Sequence, residues 1–248
     1  MRRDIARAAL RGTGVALVGA LSVAALVVPA PPASADTAIT ANEQTFYGYY
    51  RLDAIHSSGY TGDGVTIALV DGPINTQIPE LAGARIQSYR PCTVDSQDKS
   101  WDHGTVIAQV ISSPQFGVAP GANLRAYTLS FAGETTGSDC ALGQWGRGYS
   151  DLALLIEDAL NDGVDVITTS SSYPSDYEGM RWALARAIAS KVPVVACVGN
   201  DSTNNSTDWL SAWGGVVGVG AIETNGRPSD YQNWGRPLST AALARPLA

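Results

Sequence analysis

The chain of 248 residues is short of several things, and each shortage narrows what it does. It has two histidines, three cysteines, two methionines and three phenylalanines. With so few thiols and imidazoles, and with Cys92, Cys140 and His103 lacking metal-ligand spacing, no zinc site is expected. Basic residues are also scarce, 16 against 23 acidic ones. No basic cluster offers an electrostatic footprint for nucleic acid or for an anionic membrane surface. Beyond the N-terminal region no apolar run approaches the length that spans a bilayer. No Gly-rich phosphate fingerprint follows the first strand-like run, which argues against a nucleotide-binding domain. Internal repeats and low-complexity segments are missing as well.

The N-terminus reads as a leader. Arg2, Arg3, Arg7 and Arg11 precede an apolar run from Val15 to Val28, and "APPASA" ends in the small residues Ala33-Ser34-Ala35. This is the pattern of a secretory signal peptide over residues 1–35, cut before Asp36, rather than of a membrane anchor. Residues 36–248 are then expected as a single domain. Without the four arginines and Asp4 the remainder has 12 basic and 22 acidic residues, a net charge of −10, which favours solubility. In an oxidising compartment Cys92 and Cys140, both in polar turn-rich segments, are the candidate disulfide pair. Cys197, inside "VPVVACVG", is then expected as a small buried hydrophobe.

Along the chain, apolar β-branched runs alternate with helical patterns. "VTIALV" (Val65 to Val70), "NLRAYTL" (Asn123 to Leu129), "VDVITT" (Val164 to Thr169), "VPVVACV" and "GGVVGVGAI" read as strands. Their continuous rather than alternating hydrophobicity fits burial on both faces. "YYRLDAIHSSG", "HGTVIAQVI", "DLALLIEDALNDG" and "MRWALARAIASK" read as helices, the third stopping at Gly163 as a C-terminal cap. The fold expected is α/β, doubly wound, with a mostly parallel sheet. In such sheets sites form beyond the carboxyl ends of the strands. Asp71 ends the first strand, His103 opens a helix, and Asn200 follows the "VPVVACVG" strand. A carboxylate fixes the tautomer of an imidazole, the imidazole takes a proton from a hydroxyl, and an amide donates to the oxyanion that develops. Each residue alone has an ordinary reading as turn or cap chemistry; their order gives them weight.

Six segments in order resemble the subtilisin family of serine proteases, from about Tyr49 to about Pro237. "VTIALVDGPI" resembles the family's aspartate segment, with "IPEL" where His-Pro-Asp/Glu-Leu is usual. "DHGTVIAQVI" resembles Gly-His-Gly-Thr-His-Val-Ala-Gly-x-Ile. "GVAPGANLRAYTL", "GVDVITTSSS", "VPVVACVGND" and "GGVVGVGAIETNGRPSDYQNWG" resemble later family segments. Asp71 and His103 are 32 residues apart, as in subtilisin. "YYRLDAIHSSGYTGDG" resembles the opening helix of actinobacterial, mycosin-like members. The resemblance implies a subtilisin-like fold and peptide-bond hydrolysis by a secreted serine endopeptidase. Asp71 would be the orienting carboxylate, His103 the base and Asn200 the oxyanion donor. Ser170, Ser171 and Ser172 would form the edge that pairs with an extended substrate backbone. The partners implied are protein or peptide substrates; no cofactor is implied, and calcium is left open. Asp95, Asp98 and Asp102 have carboxylate spacing without a complete oxygen-ligand loop.

The family's nucleophile motif, Gly-Thr-Ser-x-Ala-x-Pro, does not occur. It would fall about 66 residues after Asn200, near position ~266, so the domain is expected to be C-terminally incomplete and inactive as written. Ser239 in "PLSTAALARP" lacks the preceding Gly-Thr and stands where the family runs through a strand. Other departures are Asp102 for Gly, Val106 for His, Gln109 for Gly, and Thr168 and Ser172 for the usual Asn and Gly. Asp102 is expected to raise the pKa of His103, and Gln109 to crowd a contact that a Gly allows. The alternatives are a secreted pseudoprotease that binds extended peptides without cleavage, and an unrelated doubly wound binding domain.

Overall fold

The computed structural model describes residues 38–89, 93–95, 99–129, 131, 151–170, 178–204 and 210–244. Seven strands form one sheet: β1 (Thr66–Asp71), β2 (Arg85–Tyr89), β3 (Asn123–Thr128), β4 (Val166–Thr169), β5 (Val194–Cys197), β6 (Val216–Ile222) and β7 (Thr240–Leu243). Their order is β2-β3-β1-β4-β5-β6-β7, and every neighbouring pair is parallel. Among the described residues five α-helices accompany them: α1 (Thr45–Tyr49), α2 (Leu52–Ser57), α3 (Lys99–Ser112), α4 (Asp151–Asn161) and α5 (Glu178–Ala189).

The apolar run of β1 follows from its place in the interior of this sheet, between β3 and β4. Ala68 and Val70 join a core with Leu155, Ile156 and Ala159 of α4 and Ala183, Leu184 and Ala187 of α5. Ile67 and Leu69, pointing the other way, join Ala108 of α3 and Leu124 of β3. Side chains alternate along a strand, so a strand with helices on both sides must be apolar at every position. The sheet is doubly wound, as expected.

The faces of β4 to β6 are covered unequally. Ile167, Val194, Ala196 and Val216 enter the α4–α5 core. Their neighbours Thr168, Val195, Cys197, Val219 and Ala221 instead line an open cavity beside α3. Cys197 is therefore half-buried rather than fully buried; its thiol donates to the Ser170 carbonyl at 3.3 Å.

Several boundaries differ from expectation. β2 and β7 are edge strands with one partner each, and "RIQSY" and "TAAL" need no continuous apolar run. α3 begins one turn earlier than the apolar pattern, at Lys99, so His103 lies in its second turn rather than opening it. The Trp101 indole N–H, donating to the Val94 carbonyl at 3.0 Å, holds that first turn. The single helix expected around "YYRLDAIHS" is two, because Arg51 takes a left-handed conformation (φ 54°) between them. Gly163 has φ 70° and ends α4 as expected. Among the described residues no helix is long and apolar enough to cross a membrane.

Candidate active site

Asp71 is the last residue of β1, and His103 projects from α3 across the carboxyl end of that strand. Their closeness rests on two glycines. A Cβ at Gly104 would collide with the Gly72 carbonyl, and one at Gly72 with the Ser100 carbonyl. Backbone therefore lies directly on backbone where α3 crosses the strand end. At this approach His103 Nδ1–H donates to Asp71 Oδ1 at 2.6 Å, a short charge-assisted bond. The same oxygen accepts the Gly72 N–H at 2.7 Å. Asp71 Oδ2 is buried and has no hydrogen-bond partner among the described residues.

This geometry sets the charge state of the imidazole. The Asp71 side chain is fully buried and that of His103 is 36% exposed. The hydrogen bond to Asp71 raises the His103 pKa above its ordinary value; burial opposes the rise and the Asp71 charge adds to it. Asp102, exposed to solvent, is not among the causes, contrary to the sequence expectation. With Nδ1–H committed to Asp71, the neutral ring carries its lone pair on Nε2. Phe131 packs edge-on against the ring, with centroids 5.4 Å apart.

His103 lines a cavity of about 400 Å³ together with Ser170, Cys197, Asn200 and Tyr231. Asp71, His103, Ser170 and Asn200, named from separate segments of the sequence, thus meet at one end of the sheet. Ser171, Ser172, Cys92, Cys140 and Asp98 lie outside the described residues, so neither the disulfide nor the acidic triple enters this picture. Ser239 is placed elsewhere: its Oγ accepts the Gly218 N–H at 3.1 Å, tying β7 to β6. Gln109 is buried on another side of α3, beside Glu80 and Trp101. Phe131 belongs to no periodic pattern or motif, and Tyr231 lies in the family-like segment "GGVVGVGAIETNGRPSDYQNWG" without being singled out by it, so neither is legible as a site residue from sequence. Among the described residues no group of three or more His, Cys, Asp or Glu could hold a metal ion.

The comparisons agree with this architecture. Subtilisin E of Bacillus subtilis (strain 168) is 28% identical over 200 residues, covering 77% of this chain and 50% of that protein. The chain thus spans about half the length of such curated relatives. Subtilisin BL of Lederbergia lenta is 31% identical over 198 residues, covering 77% of this chain and 68% of its own. Among solved structures, the prenylagaramide maturation protease PagA superposes with a TM-score of 0.61 at 24% identity, over 78% of this chain and 67% of that one. The patellamide maturation protease PatA gives 0.58 at 25% identity, over 73% and 66%. The subtilase family model matches residues 62–243, starting later and ending later than the stretch from Tyr49 to Pro237 that the motifs suggest. The chain belongs to the subtilase family.

Proposed function

We propose that this chain carries the Asp71–His103 part of a secreted subtilisin-like serine endopeptidase of the mycosin-like branch, with no nucleophile motif within residues 1–248. Residues 1–35 act as the signal peptide and 36–248 as the peptidase domain, working outside the cell on protein or peptide substrates. The observation that carries the reading is the 2.6 Å bond between His103 Nδ1 and Asp71 Oδ1 at the mouth of a cavity shared with Asn200. In this reading His103 Nε2 takes the proton of a serine hydroxyl as it attacks the scissile carbonyl. Asp71 stabilises the imidazolium, and the Asn200 amide donates to the oxyanion. Ser170 pairs with the extended substrate backbone. The steps move only protons and an acyl group and call on no cofactor.

Residues 1–248 by themselves hold a base without a nucleophile motif, so in this reading they form no acyl-enzyme on their own. A fluorophosphonate probe should leave it unlabelled, and a peptide ester should not turn over. Stoichiometric labelling that maps to Ser239 and vanishes in His103→Ala would overturn this assignment. Reading the DNA downstream of the codon for Ala248 in all three frames tests the endopeptidase reading: the absence of Gly-Thr-Ser-x-Ala-x-Pro within the next few hundred bases would count against it. The second reading, a pseudoprotease that holds extended peptides, is favoured by Ser170 lying in the His103 cavity. Peptide binding by a cooperatively melting, unlabelled chain would select it.

A further inference from the structure

Several departures from the subtilisin pattern converge on one place. Asp102, Val106 and Gln109 replace Gly, His and Gly of the family pattern along α3, and Ile78 stands where His is usual before Pro79. These four residues line a single second cavity, of about 580 Å³, together with Ile39, Glu80 and Trp101. It opens off a different side of α3 from the one that carries His103 and Ile107 into the first cavity.

Its chemistry is one-sided. Glu80 and Asp102 bring carboxylates, and among the described residues no Lys, Arg or His lines the cavity. Gln109 is 7% exposed, and its Oε1 is buried without a hydrogen-bond partner among the described residues. A buried amide oxygen without a donor is costly unless something brings one. Glu80 is 8% exposed, and one of its oxygens accepts the Ile39 N–H at 2.9 Å. Asp102 stands at the rim in solvent. Ile39, Ile78, Val106 and Trp101 supply apolar surface. The Trp101 indole is held in place by its bond to Val94.

We propose that this cavity binds the side chain of an arginine or lysine presented by a peptide. The alkyl stem packs on Ile39, Ile78 and Trp101, and the cationic head donates to Glu80, Asp102 and Gln109 Oε1. Trp101 adds attraction for the cation. A bare divalent ion fits less well. It requires about six to eight oxygens at close range, and an apolar wall gives it nothing. The assignment is independent of the Asp71–His103 reading, because it is read by binding and not by cleavage.

The test is calorimetric titration of the protein with two blocked tripeptides, Gly-Arg-Gly and the same sequence with citrulline, which keeps the shape and loses the charge. A third, Gly-Lys-Gly, probes the simpler cation. The arginine peptide should bind about tenfold or more tightly than the citrulline peptide, as a charge-assisted contact requires. Binding should weaken with added salt and should shift the Trp101 indole resonance. Gln109→Met and Asp102→Asn should each weaken it, by about tenfold and about threefold. Asp53→Asn, on exposed α2, should leave it unchanged. Should Gln109→Met fail to fold, Asp102→Asn at its exposed position still decides. Equal affinity for the arginine and citrulline peptides would overturn the proposal. So would arginine binding unaltered in Asp102→Asn and in every folded Gln109 variant, or no binding up to about 10 mM, weaker than the millimolar range.

Discussion

Replacing Gly104 with alanine adds one methyl group where α3 rests on the Gly72 carbonyl. The nearest neighbours there are backbone atoms of Gly72 and Pro73, so no side chain can swing aside. To regain an ordinary non-bonded separation of about 3.2–3.5 Å, the helix must withdraw by roughly 1 Å. The His103–Asp71 bond of 2.6 Å would then stretch to about 3.6 Å, at which no hydrogen bond remains. The strain itself should cost about 1–3 kcal/mol, which a domain holding ~5–15 kcal/mol survives. The readout is the imidazole titration followed by NMR. Only two histidines are present, and His56→Gln assigns them. In the parent protein the His103 pKa lies above its ordinary value, chiefly through the Asp71 hydrogen bond; in Gly104→Ala it should fall. The linkage has a definite sign. Because the folded pKa is raised, the pair's stabilisation is fully present below the unfolded pKa of about 6.5 and is lost as pH rises through the folded pKa. The parent should lose that increment across this window and the variant should not. A folded Gly104→Ala protein whose His103 still titrates high would refute the argument that the glycine contact sets the pair.

Three further outcomes are expected. Leu155→Ala empties a fully buried position between α4 and the sheet and should cost about 2–5 kcal/mol, read from the denaturant midpoint. Lys191 holds φ 60° just after α5; Lys191→Gly relieves a left-handed side chain and should raise stability by about 1 kcal/mol, visible as a higher Tm. Asp71→Asn should lower the His103 pKa without moving α3, so the NMR titration changes while amide shifts in the distal part of α3 stay put.

The sequence was most legible where the physics is one-dimensional. β1 is apolar at successive positions because helices press on both of its faces, and β3 to β6 share enough of that burial to be read. Asp71, His103 and Asn200 could be found because each follows or adjoins such an element. The edge strands β2 and β7 escaped, since Arg85–Tyr89 and Thr240–Leu243 each rest on one neighbour and tolerate polar residues. The first turn of α3 escaped because it is held by Trp101 reaching Val94, a contact between side chain and backbone that periodicity does not encode. The sequence pattern makes Gln109 a residue crowding a packed face; it lies instead on a cavity wall, a distinction that depends on Ile39 and Glu80 arriving from elsewhere in the chain.

The strand order has a consequence for how the chain reaches this state. β1 is made early, yet its partners come late: Thr66 pairs with Asn123, and Ile67 with Val166, about a hundred residues on. During synthesis at ~5–20 residues per second, the most apolar strand of the sheet would wait roughly 5–20 seconds for its second neighbour. Both of its edges are open to pairing with other chains until β3 is made, and one stays open until β4 follows. The interior strand that anchors Asp71 is thus also the segment most dependent on protection while the chain is being made.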